Sequence, residues 1–143
     1  MFRVISWNVR GFGGRVKRRV ARRLIKDWKV DALCIQETKL EMVDASCIRK
    51  IWGNCNAQFE WVKSEGSAGG LCLIWDVTFF TKIDCILGDR FILVVGSIVK
   101  NNFPCVIGTI YAPNDDGKRR ILWNSLVSLK GGASRQGYRQ RQE

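Results

Sequence analysis

Three short blocks concentrate the residues of this chain that could do chemistry: Ile5-Ser6-Trp7-Asn8-Val9-Arg10-Gly11, Ile35-Gln36-Glu37-Thr38-Lys39 and Ile110-Tyr111-Ala112-Pro113-Asn114. Each follows a hydrophobic run that reads as a strand, and each begins a loop. Glu37 ends an apolar strand, where a carboxylate has no core partner. One carboxylate, several waters and a substrate phosphate are often enough to hold Mg2+, which takes hard oxygen ligands. Taken singly, each residue has an ordinary reading: Glu37 as a surface residue after a strand, Asn8 and Asn114 as turn formers. Together, Asn8 and Glu37 close two strands that should lie side by side, which favours a shared cleft. Asp115 and Asp116 form a second acidic pair, of the kind that serves as general base or second metal ligand. They stand before Gly117 and a basic helix, so capping is the better reading.

The elements that must position these groups are legible as runs and breaks. Phe2 to Trp7 reads as a short strand, and Gly11, Gly13 and Gly14 as a flexible turn. Over residues 15–29, Val16, Val20, Leu24 and Trp28 recur at i, i+4 spacing and predict one apolar stripe on a helix. Arg15, Lys17, Arg18, Arg19, Arg22, Arg23, Lys26 and Lys29 occupy its other face. Asp31 to Gln36 is a second buried strand, and a helical crossover of this length predicts that it runs parallel to the first. Asp44 is the expected cap of a short helix reaching Trp52. Ala57–Lys63 and Leu71–Trp75, joined through Gly66, Gly69 and Gly70, read as a hairpin. Phe79–Leu87, Arg90–Val99 and Cys105–Tyr111 are three further strands, with Gly88-Asp89 and Asn101-Asn102 as turns. A helix is expected over 118–130, with Ile121, Leu122, Leu126 and Leu129 on one face. Strands outnumber helices, which predicts an α+β layered sandwich. Residues 1–130 read as one domain and 131–143, nearly devoid of apolar side chains, as a disordered basic tail.

With 24 Lys and Arg against 13 Asp and Glu among 143 residues, the net charge is +11. Such an excess favours polyanions through steering and counterion release. The six cysteines form no C-x-x-C pair, and the chain has no histidine, so a zinc site is not expected. Cys34, Cys72, Cys85 and Cys105 lie in apolar runs as small hydrophobes. Arg3 and Asn8 interrupt the start, so a signal peptide is not expected, and the longest apolar run is far short of a membrane span. A reducing, intracellular setting is the expectation, in nucleus or cytoplasm.

The SWNVRG, QETK and IYAPND blocks, together with the Gly69–Trp75 hairpin segment, resemble the first half of the endonuclease/exonuclease/phosphatase family. Their form is similar to that of plant LINE-type (non-LTR) retrotransposon endonucleases, over residues 2 to about 129. The resemblance implies part of a four-layer α/β/β/α sandwich with the C-terminal half missing. It also implies Mg2+-dependent cleavage of phosphodiesters in DNA, with Mn2+ as a substitute. It would make Glu37 the metal ligand, Asn8 a support for metal and phosphate, and Tyr111 a hydrogen-bond donor to the scissile phosphate. Asn114 belongs to the same block with a less defined role.

The same family pattern continues with a Gly-Asp-Phe-Asn block and ends with a Ser-Asp-His block, and neither is present here. The expected molecule is therefore an N-terminal fragment, catalytically incomplete alone, of a retrotransposon DNA endonuclease. A non-catalytic basic nucleic-acid-binding module, or a non-functional product of a decayed element, is the alternative. DNA is the expected partner, bound weakly and without sequence preference. Arg15, Arg18, Arg19, Arg22 and Arg23 are the expected contacts, with Arg135, Arg139 and Arg141 adding from the tail. An apolar sheet face left without its second half predicts self-association.

Overall fold

The computed structural model describes residues 2–54, 56–112, 116, 117 and 120, and the fold is given for those residues. Seven strands and two helices run in the order β1 (Val4–Asn8), α1 (Arg15–Trp28), β2 (Ala32–Gln36), α2 (Ala45–Trp52), β3 (Ala57–Val62), β4 (Leu71–Asp76), β5 (Phe80–Leu87), β6 (Phe91–Ile98) and β7 (Phe103–Ile110). They form two sheets, β1-β2-β4-β3 and β5-β6-β7. Helices cover the outer face of the first sheet, and the two sheets pack face to face. The architecture is mixed α+β, as expected. The helix expected over 118–130 and the expected tail lie almost wholly outside the described residues.

β1 and β2 run parallel in the register Val4↔Ala32 to Asn8↔Gln36, so Asn8 and Gln36 end side by side. That is the arrangement a helical crossover imposes. β4 lies antiparallel to β2 and β3, which makes β3–β4 the expected hairpin. Alternation along the strands divides the apolar side chains between two cores. Ile5, Trp7, Leu33 and Ile35 pack with Ala21, Ile25, Ile48 and Ile51 of the helices. Ala32, Cys34, Leu73 and Trp75 face Phe80, Cys85, Ile92 and Val94 of the second sheet. Between the sheets, Glu60 on β3, fully buried, receives a 3.0 Å ion pair from Lys82 on β5.

α1 departs from the expected orientation. Val16, Val20 and Trp28 of the apolar stripe are exposed, Val16 to 73%, and the buried positions are Ala21 and Ile25. The reason is what lies opposite. β1 is an edge strand, so the Val16–Val20 flank has no neighbour beyond it. The small Ala21 lets the helix lie close to the sheet. Lys17 is no solvated cation: its amine donates to the Val9 carbonyl, and at 3.1 Å to that of Arg10. α2 starts as expected: Asp44 Oδ1 accepts the Cys47 N–H at 2.8 Å, and Gly53 closes the helix at φ 86°.

Among the described residues, Cys34, Cys47, Cys72, Cys85 and Cys105 form no disulfide. Among the described residues, no helix is long and apolar enough to cross a membrane. Among the described residues, β1 and β7 are edge strands on the same side of the two sheets, with Val4, Phe103, Val106 and Ile110 exposed there.

Candidate functional site

Three segments are laced together where β1 and β2 end. The Val9 N–H donates to the Gln36 carbonyl at 3.0 Å, Gly11 to Glu37 at 2.7 Å and Phe12 to Thr38 at 2.8 Å, so the parallel pairing continues into the loops. From the other side, Thr38 donates to the Gly70 carbonyl at 3.1 Å and Lys39 to that of Gly69 at 2.8 Å. Held between these ladders, Glu37 takes a left-handed backbone with φ 54°. A non-glycine residue persists in that region only where its surroundings over-determine it, and such strain clusters at functional sites. Gly70 is required by close approach: a Cβ there would stand 2.2 Å from Thr38 Oγ1, and its φ is 93°.

Glu37 and Tyr111 meet across the two sheets. The Glu37 carboxylate lies close enough to the Tyr111 hydroxyl for its charge to act on the phenol. Burial raises the Tyr111 pKa above the ordinary phenol value, the nearby Glu37 carboxylate adds to the rise, and Arg90 opposes it. The phenol therefore keeps its proton at neutral pH. The Arg90 guanidinium carbon lies 5.7 Å from the Tyr111 ring centroid, a cation–π contact. The Tyr111 N–H donates to the Arg90 carbonyl at 2.8 Å, which fixes the two residues together.

Beneath this pair, Gln36 Nε2 donates to Ser6 Oγ at 2.7 Å and to Thr109 Oγ1 at 2.9 Å. Gln36 thus ties β1, β2 and β7 with one amide. Thr109 also lies beside Cys34, whose thiol pKa burial pushes up to about 11. Asn8 ends β1 beside Gln36 and is exposed; its Oδ1 accepts the Arg10 N–H at 3.3 Å.

Asn8, Glu37 and Tyr111 are therefore gathered at one end of the fold, at the carboxyl ends of β1, β2 and β7. Asn114 and Asp115 lie outside the described residues. Arg15, Arg18, Arg19 and Arg22 line one groove between α1 and α2 and are not part of this cluster. Arg23 is exposed and lines neither that groove nor the Glu37 cluster. Sequence reasoning missed Gln36, Thr109 and Arg90. The alternation 105, 107, 109, 111 puts Thr109 on the face of Tyr111, a signal that was present. Nothing local marks Arg90, which arrives through the β5–β6 turn.

The donor set fits a hard cation. Glu37 offers a carboxylate and Asn8 a carboxamide oxygen, and Mg2+ is commonly held by one or two carboxylates with waters. Among the described residues, no group of three or more His, Cys, Asp or Glu gathers as a metal cage.

Solved structures share this fold. The chain matches AP endonuclease LMAP from Leishmania major with TM-score 0.61 and 18% identity, covering 85% of this chain and 44% of that one. It matches the 3′ phosphatase NExo from Neisseria, in a structure bound to a product DNA hairpin, with TM-score 0.63 and 16% identity over 92% of this chain and 51% of that one. The human Nocturnin catalytic domain gives TM-score 0.66 at 14% identity, over 92% of this chain and 59% of that one. The chain spans about half the length of the structures it matches. No curated protein sequence matches it. The model of the Endonuclease/Exonuclease/phosphatase family matches residues 5–140, nearly the whole sequence, and the chain belongs to that family.

Proposed function

We propose that this chain carries the first half of a Mg2+-dependent, DNA-cleaving phosphodiesterase site and is catalytically incomplete on its own. The observation that carries the reading is the approach of Tyr111 to Glu37, a carboxylate held in left-handed backbone at a strand end. When bound, Mg2+ would neutralise charge on a phosphodiester and acidify a water. Glu37 and Asn8 would hold it. Tyr111, a protonated phenol, has a hydrogen to donate to a phosphate oxygen, and Arg90 beside it supplies positive charge. DNA as substrate is supported by relatives that include AP endonucleases and a phosphatase bound to a DNA hairpin. The block spellings further support an origin in a plant LINE-type retrotransposon.

Incompleteness rests on chemistry: no histidine is available as general acid or base. Losing such a group costs about 10²–10⁴-fold in rate. Self-association through the β1 and β7 side fits the exposed Phe103, Val106 and Ile110. An intracellular, reducing setting fits described cysteines that form no disulfide.

The test is Mn2+ binding followed by paramagnetic resonance, alongside nicking of supercoiled plasmid. We expect Mn2+ to bind, Glu37→Gln to weaken that binding at least tenfold, and no nicking to be detected. Metal binding indifferent to Glu37→Gln would sink the site and leave a non-catalytic basic module as the remaining reading.

A further inference from the structure

The α1–α2 groove is a second cationic feature, on the helical layer rather than between the sheets. Arg15, Arg18, Arg19 and Arg22 of α1 and Lys50 of α2 line a cleft of about 380 Å³, with Cys47 and Ile51 at its side. No carboxylate lines it among the described residues. Asp44, whose charge acts on Cys47, is engaged as the α2 cap. A neighbouring cleft of about 490 Å³ differs: Arg22, Lys26 and Lys29 share it with Asp31 and Asp76.

A bare cluster of cations is unfavourable by itself. Arg15, Arg18 and Arg19 crowd the first turns of α1, where the helix dipole already places positive charge. No acid lies in that first turn, and Gly14 gives no side-chain cap. Only Arg18 is partly tied down, through Nε to the Phe12 carbonyl at 3.4 Å. The uncompensated charge calls for a polyanion. Spacing narrows its type. At 1.5 Å rise per residue, Arg15 to Arg19 spans about 6 Å and Arg15 to Arg22 about 10.5 Å. A nucleic-acid strand presents one charge roughly every 3.4 Å along its axis, so this row reaches about three successive phosphates. Both helices begin at the end of the sheet where Asn8 and Glu37 sit, because each follows a parallel strand that ends there.

We propose that the α1–α2 groove is a phosphate-backbone track that grips nucleic acid outside the Glu37–Tyr111 cluster. The assignment rests on the nucleic-acid substrate proposed above and gives it a second, separately testable contact. Arg19, Arg22 and Lys50 are the principal contacts. Arg23, outside the groove, contributes little.

Cys47, a half-buried free thiol in the groove wall, supplies a local readout. The experiment compares the full chain with two charge-matched double variants. Arg19→Glu with Lys50→Glu alters the groove, and Arg49→Glu with Lys100→Glu alters exposed cations outside it. Binding of a short fluorescent DNA duplex is titrated against salt, and alkylation of Cys47 is timed with and without duplex. The groove variant should bind at least about tenfold more weakly at low salt, with a salt slope shallower by roughly 1.8. The control pair should stay within about threefold of the parent. Duplex should slow Cys47 alkylation in the parent and control, and not in the groove variant. Equal losses in both variants, or alkylation indifferent to DNA, would overturn the track. Loss of duplex binding in the groove variant while Glu37→Gln leaves metal binding intact would sustain the track and sink the catalytic reading. The converse result would separate them the other way.

Discussion

Gln36 Nε2 donates to Thr109 Oγ1 at 2.9 Å, joining strands that are 73 residues apart in the chain. The same amide holds Ser6 at 2.7 Å. One residue further along each strand end lies the Glu37–Tyr111 region, so the bond sets the distance between a carboxylate on one sheet and a phenol on the other. Replacing Thr109 by Val keeps the shape and leaves a half-buried amide hydrogen with one partner fewer. The expected cost is about 0.5–1.5 kcal/mol in urea denaturation. Mn2+ affinity should fall with it, through displacement of the Tyr111 strand. A variant with parental stability and parental metal affinity would show that Gln36 does not position the site.

Gly70→Ala should damage the site more than an alanine at another left-handed glycine of the same loop. At Gly66 (φ 64°) the added Cβ meets nothing within 4 Å, whereas at Gly70 it meets Thr38 Oγ1 at 2.2 Å. Each pays the left-handed penalty of roughly 1–2 kcal/mol. Only Gly70→Ala must also push Thr38 and Lys39 away from the loop that braces Glu37. Thermal melts of the two variants, with Mn2+ binding in parallel, check this; equal effects would remove the close-approach argument.

The Glu60–Lys82 pair should be costly to halve. With Glu60 fully buried, Lys82→Ala leaves a carboxylate between the sheets without its cation. Breaking a buried pair in this way typically costs about 3–5 kcal/mol. Lys82→Met together with Glu60→Leu should recover most of it. Denaturant midpoints of the single and double variants decide; additive losses would contradict the pairing.

Alkaline pH should weaken the fold in a defined window. The Cys34 thiol is raised from 9.0 to about 11 by burial, and Tyr111 is raised above 10.0, chiefly by burial. A raised folded value means the neutral form is favoured in the native state. The contribution is therefore complete below the unfolded value and is lost as pH rises through the folded one. For Cys34 that window runs from about pH 9 to pH 11. Glu37→Gln removes the carboxylate charge beside the phenol and should lower the Tyr111 titration midpoint. Tyrosinate absorbance in a Tyr138→Phe background isolates it, since the chain has two tyrosines. An unchanged midpoint would argue against the Glu37–Tyr111 contact.

Association should be concentration-dependent and traceable to one side. Phe103 and Val106 on β7 are 59% and 56% exposed, and among the described residues no strand pairs with β7 on its outer side. Unpaired edges with apolar side chains template contacts between copies. Val106→Lys with Phe103→Ser should shift light scattering towards monomer. Association unaffected by that pair would move the interface elsewhere.

Local chemistry carried much of this molecule in its sequence. Apolar runs and glycine breaks mark every strand to within two residues, Asp44 announces α2, and the three blocks name Asn8, Glu37 and Tyr111. Period and turn residues act over a few positions, so a sequence records them directly. The sequence misled where a neighbour decides. The Val16–Val20–Trp28 stripe has helical spacing, yet burial went to Ala21 and Ile25, because β1 is an edge strand and offers the stripe nothing to pack against. Lys17 reads as a surface cation and is instead a clamp on loop carbonyls. Gln36, Thr109 and Arg90 join the site only when β7 and the β5–β6 turn swing against β2. Those contacts depend on sheet-on-sheet packing between distant segments, and no window of neighbouring residues contains them.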